Sequence, residues 1–323
     1  MTEEKSNSGQ VESRGPAADA PPRFQSDQVL PLSHNVVPPS AQRYWIGVLA
    51  VVCAVGIFGY WLGSQDENEP EGGAVRGDGL SAEHSRLTTV SMAGRWVESD
   101  MLVDDSQQWT GSGVIIDEDA DDLIIMTNSH CIALPSIVSG QPETPDIKSY
   151  EFAVVFAGSN QPRRVTRFAE TQAGGLDLAL LRVARGDLRR GTDYEIAPIA
   201  KRSFATQGQE TVAIGAPLGL RNTETYGRVS AIRSAVEMGG FSVLQTDAAV
   251  NPGNSGGPLF VVVDGRRFLV AITTFGFSGA ENLNFAYFAD EYGARNWEWF
   301  DANPAGVVKA LRQIYNFEAV EVR

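Results

Sequence analysis

Large apolar residues are sparse in the first 43 positions, unbroken over the next nineteen, and scattered in short runs from residue 86 onward. Residues 1–43 are rich in Ser and Pro, with scattered Gly, Glu and Asp. Such a segment cannot bury enough surface to offset the entropy of ordering, so a disordered tail is predicted. Tyr44–Leu62 contains no charged residue. A helix of that length rises roughly 28 Å, close to the hydrocarbon thickness of a bilayer. Tyr44 and Trp45 open the run and Tyr60 and Trp61 close it, as an interfacial aromatic belt would. Residues 44–63 are therefore predicted to form a single transmembrane anchor. A buried core helix fits less well, because the run is apolar on all faces and lies between polar stretches. A cleaved signal peptide also fits less well, since the Trp61-Leu62-Gly63 exit offers no small-x-small site. Lys5, Arg14, Arg23 and Arg43 precede the run, whereas Asp66, Glu67, Glu69 and Glu71 follow it. The positive-inside rule then places the N-terminus in the cytoplasm and all that follows outside it. Residues 64–85, rich in Gly and acid, read as a flexible stalk.

From residue 86 the runs are short and broken by turn residues. Strands are predicted at Trp109–Ile116, Leu123–Thr127, Glu151–Phe156, Arg163–Ala169 and Leu178–Val183. A second set falls at Thr211–Gly215, Gly227–Ser234, Ser242–Thr246, Gly257–Val263, Phe268–Phe275 and Asn284–Phe288. Many short strands separated by turn signals indicate an all-β barrel or sandwich. A polar link near 184–208 divides them into two similar units, about 86–190 and 205–290. The acidic stretch Asp117–Asp122 lacks the glycine and spaced carboxylates of a calcium loop, so it reads as a solvated hairpin. Asn303-Pro304 is a helix start, Asn as N-cap and Pro at the first position, within a C-terminal helical segment 291–323. Val307, Val308, Leu311, Ile314 and Tyr315 share one face of it, expected to pack on the second barrel. Trp297, Trp299 and Phe300 read as docking residues for this tail, with a peptide-binding lip as the alternative.

Composition narrows the function classes. The formal charge is −14 and the pI about 4.7, which argues against a nucleic-acid partner, because phosphate binding needs clustered Lys and Arg. The two cysteines are Cys53, inside the apolar run, and Cys131, far beyond it, so no intrachain disulfide is expected. His34, His84 and His130 are too dispersed for a metal site, and neither metal nor cofactor is expected.

The chemistry concentrates at Leu244–Phe260, where Ser255 stands among Gly253, Gly256 and Gly257. A serine hydroxyl needs a base to attack, and the resulting oxyanion needs N–H donors aimed at it. Glycine lets the backbone turn so that those donors converge: Gly253, Asn254 and Ser255 are the candidate oxyanion-hole residues. His130, the only histidine within the folded region, follows a strand in Thr127-Asn128-Ser129-His130. Asp177 opens the apolar strand Asp177-Leu178-Ala179-Leu180-Leu181. Alone, each has an ordinary reading, as a hydrogen-bonded structural histidine and a strand-edge acid. Together, His130, Asp177 and Ser255 follow the chain order of the chymotrypsin-type triad.

These three blocks, with Gly111-Ser112-Gly113-Val114-Ile115-Ile116, resemble trypsin-like serine proteases of the HtrA (Deg) type over about residues 105–290. The resemblance implies a chymotrypsin-like double six-stranded β-barrel with its site in the cleft between barrels. It also implies cleavage of unfolded or damaged proteins outside the cytoplasm, and a homotrimer as the usual building unit. Two departures matter. The residue before the nucleophile is the neutral Asn254, so activation by a new N-terminal amine, as in the digestive branch, is not expected. After Phe288 about thirty-five residues remain, too few for the PDZ domains of typical members. Ala249, six positions before the nucleophile, leaves the substrate pocket without a buried carboxylate, so a basic P1 side chain would be an unpaired buried charge. A small or medium apolar P1 residue is expected, with Ile272 and Thr274 as pocket walls. The alternative to an endopeptidase is a non-catalytic peptide-binding scaffold or sensor on the same fold.

Overall fold

The computed structural model describes residues 78–99, 104–132, 147–171, 176–238, 240–276 and 281–314. The predicted tail, the apolar run Tyr44–Leu62 and most of the predicted stalk lie outside these residues. Among the described residues, no helix is long and apolar enough to cross a membrane.

The first barrel is built from β1 (Thr89–Ser99), β2 (Asp104–Glu118), β3 (Asp122–Thr127), β4 (Ile147–Phe156), β5 (Pro162–Thr171) and β6 (Ala179–Ala184). Their antiparallel order is β5-β4-β1-β2-β3-β6, and a β5–β6 pairing from Val165 to Glu170 closes the ring. The second barrel is a closed ring of β7 (Glu210–Gly215), β8 (Thr223–Arg233), β9 (Val243–Thr246), β10 (Pro258–Val263), β11 (Arg266–Gly276) and β12 (Asn284–Phe288), in the order β10-β11-β12-β9-β8-β7. Closure removes the unpaired edges that would otherwise template aggregation. The expected double six-stranded barrel is present.

Alternation along the strands fills three apolar clusters. Val90, Met92, Trp96, Ile125, Phe156 and Leu181 fill the first barrel. Val229, Leu244, Leu259, Val270 and Phe288 fill the second. Between the barrels, Val114, Met126, Leu178 and Leu180 of the first meet Ile214, Phe260, Leu269 and Ile272 of the second. Each fully buried large side chain contributes about 1.5–3 kcal/mol. The cleft that holds the chemistry is thus floored by a dry, close-packed seam.

Four features differ from expectation. β1 is a strand where none was predicted: Val90, Met92 and Trp96 do alternate inward, but Gly94 interrupts their apolar run. The indole of Trp109 covers that gap, since a Cβ on Gly94 would lie 1.9 Å from the Trp109 ring. Trp297–Asp301 forms a further strand, β13, which takes the edge of β5 at Arg167–Thr171, beyond the point where β4 leaves it. The C-terminal helix (Pro304–Ile314) packs on the first barrel rather than the second. Its Val307 and Ala310 join Phe300 and Phe168 in the first barrel's cluster, and the last two rings stack at 5.5 Å. Asn303 caps this helix, its Oδ1 accepting from Gly306 N at 2.9 Å. Finally, secondary structure is present ahead of residue 86, within the predicted stalk. Leu80 pairs with Arg267, and the helix Ala82–Leu87, capped by Ser81, contains His84.

That early segment is fastened by a buried ion cluster. Arg267 and Glu224 are 3.0 Å apart with side chains 7% and 8% exposed. Arg267 also donates to Ser85 Oγ at 2.9 Å, and Arg86 to Glu224 at 2.7 Å. The acidic hairpin between β2 and β3 is tied by its own turn, Asp119 Oδ1 accepting from the N–H groups of Asp121 and Asp122.

Two stability outcomes follow. Gly94→Val drives a side chain into the Trp109 ring and should cost about 1–3 kcal/mol, measured as a lowered urea midpoint. Glu224→Ala strands a buried guanidinium and should cost about 3–5 kcal/mol. Burial works against the Glu224 charge, but the Arg267, Tyr226 and Arg86 bonds outweigh it and hold its pKa below the ordinary glutamate value of 4.5. This contribution is therefore complete above that value and lost as pH falls through the depressed one, so acid unfolding should lose a step in the variant.

Candidate active site

β3 ends at Thr127, and the chain turns through Asn128 into one 3-10 turn, Ser129–Cys131. Asn128 Nδ2 donates to the Asp177 carbonyl at 2.8 Å, binding this turn to the start of β6. His130 then meets Asp177 twice: its backbone N–H donates to Oδ1 at 2.9 Å, and ring Nδ1 lies 2.7 Å from Oδ2. With Nδ1–H facing the carboxylate, Nε2 keeps its lone pair for another partner. Thr274 Oγ1 adds a third donor to Asp177, at 2.7 Å from Oδ2. The imidazole edge reaches solvent, its side chain being 42% exposed. Desolvation opposes a charge on His130, but the Cys131 sulfur and the Asp177 carboxylate outweigh it and hold the pKa well above 6.5.

The Ser255 loop belongs to the second barrel but is braced by the first. Ser112 of β2 donates from its N–H to Ser255 O at 2.9 Å and from Oγ to Gly253 O at 2.7 Å. The same Oγ accepts from Ala216 N at 2.9 Å. Gly253 has φ +100°, and a Cβ there would lie 2.4 Å from Ala216 O. Gly256 has φ +84°, and its Cβ would lie 2.1 Å from Thr127 Oγ1. Only glycine fits either place. Among the described residues, nothing accepts from the N–H of Gly253 or Ser255, so both can serve a developing oxyanion. Asn254 is a correction: its N–H is committed to Asn251 O at 2.9 Å, and its side chain is buried.

Ser255 Oγ donates to the Thr274 carbonyl at 3.1 Å, and no hydrogen bond joins it to His130. Thr274 is thus the common neighbour of the alcohol and the acid. It can serve both because it is the extra residue of a β-bulge: in the β11–β12 ladder Thr273 faces Ala286 and Phe275 faces Phe285. The bulge frees its carbonyl from pairing and re-aims it.

The predicted substrate pocket fares less well. Ala249 is exposed, its carbonyl accepting from Thr225 Oγ1 at 2.7 Å. Ile272 is wholly buried in the seam between barrels, so it is not a pocket wall. Thr274 faces Asp177 instead of a pocket. Cys131 is a buried free thiol, 2% exposed, its sulfur 3.5 Å from Ser255 O. Sequence reasoning missed the bracing role of Ser112 and the bulge at Thr274. The Gly-Ser-Gly context of Ser112 was a signal for the first; nothing local announces the second.

The profile of the trypsin-like peptidase domain family matches residues 111–272, half of the chain. The "Serine protease Do-like HtrB" of Bacillus subtilis is 30% identical over 188 residues, covering 54% of this chain and 35% of the relative. The "Serine protease Do-like HtrA" of Lactococcus lactis subsp. cremoris is 30% identical over 190 residues, covering 54% of this chain and 41% of the relative. The chain therefore spans well under half the length of these curated relatives. A solved "HtrA-type protease AlgW with decapeptide" aligns at TM-score 0.46 and 22% identity, covering 65% of this chain and 63% of that one. The matched stretch runs from the strand that braces the Ser255 loop to the strand that ends the seam, and by it this chain belongs to the trypsin-like peptidase domain family.

Proposed function

We propose that this protein is a serine endopeptidase that cleaves unfolded or damaged polypeptides outside the cytoplasm. The observation that carries the reading is the doubly bonded His130–Asp177 pair, with Thr274 linking that carboxylate to the nucleophile's hydroxyl. In this reading Ser255 Oγ leaves the Thr274 carbonyl, bonds to His130 Nε2 and attacks the scissile carbonyl carbon. Apo catalytic hydrogen bonds are often unmade and tighten only with substrate. The Ser255 proton passes to Nε2, and Asp177 stabilises the imidazolium. The free N–H groups of Gly253 and Ser255 receive the oxyanion. Collapse of the adduct breaks the C–N bond as His130 returns the proton to the leaving amine. Water, deprotonated by His130, then hydrolyses the acyl-serine by the same path.

The charge-free run Tyr44–Leu62 supports a single membrane anchor with the peptidase domain on the far side from the N-terminus. Ala249 supports a small or medium apolar P1 residue, since nothing acidic at that position would pair a basic side chain. The family's usual unit supports a homotrimer. The Ser255 hydroxyl, turned to a carbonyl instead of the imidazole, favours a second reading: a peptide-binding scaffold that does not turn over.

A fluorophosphonate probe separates the two. Labelling at Ser255 and degradation of unfolded casein, both lost in Ser255→Ala, support the enzyme; a folded protein that never labels supports the scaffold. Asp177→Asn should lower kcat by about 10⁴-fold, because the tautomer is no longer fixed. His130 must be neutral to take the proton, so the acid limb of kcat/KM should have its midpoint above pH 6.5. Removing the Asp177 charge should shift that limb to lower pH while the rate falls. Efficient cleavage after Arg would contradict the pocket assignment.

A further inference from the structure

Glu170 lies on β5 behind the turn that presents His130, and it is 7% exposed. Its Oε2 is 2.5 Å from Ser129 Oγ, and that same Oγ is 3.0 Å from the Leu178 carbonyl oxygen. A serine hydroxyl has one proton and can donate to only one of these oxygens. If Glu170 were ionised, it and the Leu178 carbonyl would compete for that proton. If Glu170 is protonated, both contacts are made in sequence: Glu170 donates to Ser129, and Ser129 donates to Leu178. Among the described residues no Lys or Arg pairs with Glu170. The titratable groups facing it are Asp177 at the start of β6, Tyr150 on β4, Glu298 opposite it in register on β13, and His130 beside Ser129. None of the three acids would favour a second negative charge there. Burial, the largest effect, pushes the Glu170 pKa up to about 8, with Asp177 adding to it against the Ser129 bond.

The position of this relay gives it a role. Ser129 immediately precedes His130, and Leu178 immediately follows Asp177. The relay therefore ties together the two backbone segments that hold the imidazole and its acid. We propose that Glu170, as a neutral acid acting through Ser129, is a positioning residue for the His130–Asp177 pair. The role rests on the peptidase reading above. Loss of the Glu170 proton turns the Ser129 hydroxyl away from Leu178 and sets a second carboxylate beside Asp177. The pair loosens, and kcat declines on the alkaline side.

The test uses the full chain in detergent micelles and a fluorogenic peptide with an apolar P1 residue. Glu170→Ala should lower kcat on the order of 10-fold with KM nearly unchanged, as for a misplaced catalytic group. Glu170→Gln, whose amide can donate to Ser129, should recover most of that loss and abolish the alkaline decline. Ser129→Ala should match Glu170→Ala, and the double variant should cost no more than either alone, because both break one relay. Wild-type kcat in Glu170→Ala, additive losses, or an alkaline limb retained in Glu170→Gln would overturn the proposal. If Glu170→Ala does not fold, the pH profile of Glu170→Gln decides. A readout independent of turnover is the ¹⁵N-histidine NMR titration of His130. A second inflection near pH 8 that vanishes in Glu170→Gln supports the relay, and a wild-type titration without it refutes the relay. If the wild type neither cleaves nor labels, the peptidase reading fails while this titration still reports on Glu170.

Discussion

Ser112 is the point at which the two barrels become one device. Its main chain belongs to β2 of the first barrel, while its N–H and Oγ hold the carbonyls of Ser255 and Gly253 in the second. The imidazole and carboxylate are fixed to the first barrel, and the alcohol to the second. Their approach is therefore set by the seam between barrels, and polar bonds across that seam refine it. The seam is fully packed, with Phe260, Ile272 and Leu178 excluding water. A close-packed interface has few alternative arrangements, which is what a constellation sensitive to ångström shifts requires. Gly256 shows how tight the fit is: a single added carbon would meet both Thr127 and Ser112.

The charges follow the same logic of burial with compensation. Many charges of the described residues are exposed, where solvent screens them, as at Asp187 and Arg189. The charges that matter structurally are few and enclosed. Glu224 keeps its charge because Arg267, Arg86 and Tyr226 surround it. Glu170 has no such cation, and a hydroxyl relay answers its burial instead. Two buried glutamates in one domain thus meet opposite solutions to the same desolvation cost. The first pins the segment ahead of β1 onto the second barrel; the second lies directly behind the site.

How much could be read in advance depended on whether the signal was local. The glycines around Ser255, and the strand ends at His130 and Asp177, are consequences of local backbone demands, so their sequence context exposed them. Eleven strand segments were legible from alternation. β1 escaped because Gly94 breaks its apolar run, and the reason for that glycine, the Trp109 ring, lies on another strand. β13 escaped because its aromatic residues look like any docking segment until the free edge of β5 is known. Ile272 was misassigned for a related reason. Alternation fixes which face of β11 it occupies, but only the second barrel's placement against the first decides whether that face meets solvent or the seam. Ser129 and Glu170 are 41 residues apart and carry no shared motif.

Thr274 was named for the wrong reason, and the error shows what the bulge accomplishes. In a regular ladder its carbonyl would be turned toward β12 and its side chain would have no reason to seek an acid on the other barrel. The extra residue breaks that pattern, giving one amino acid two outward contacts: a hydroxyl on Asp177 and a carbonyl on the Ser255 hydroxyl. The first holds the carboxylate in the orientation that orders His130. The second holds the Ser255 proton on a neutral acceptor. Both contacts hang on the bulge, so one inserted residue couples the Ser255 hydroxyl to the carboxylate that bonds His130, through hydrogen bonds of net worth about 1 kcal/mol each.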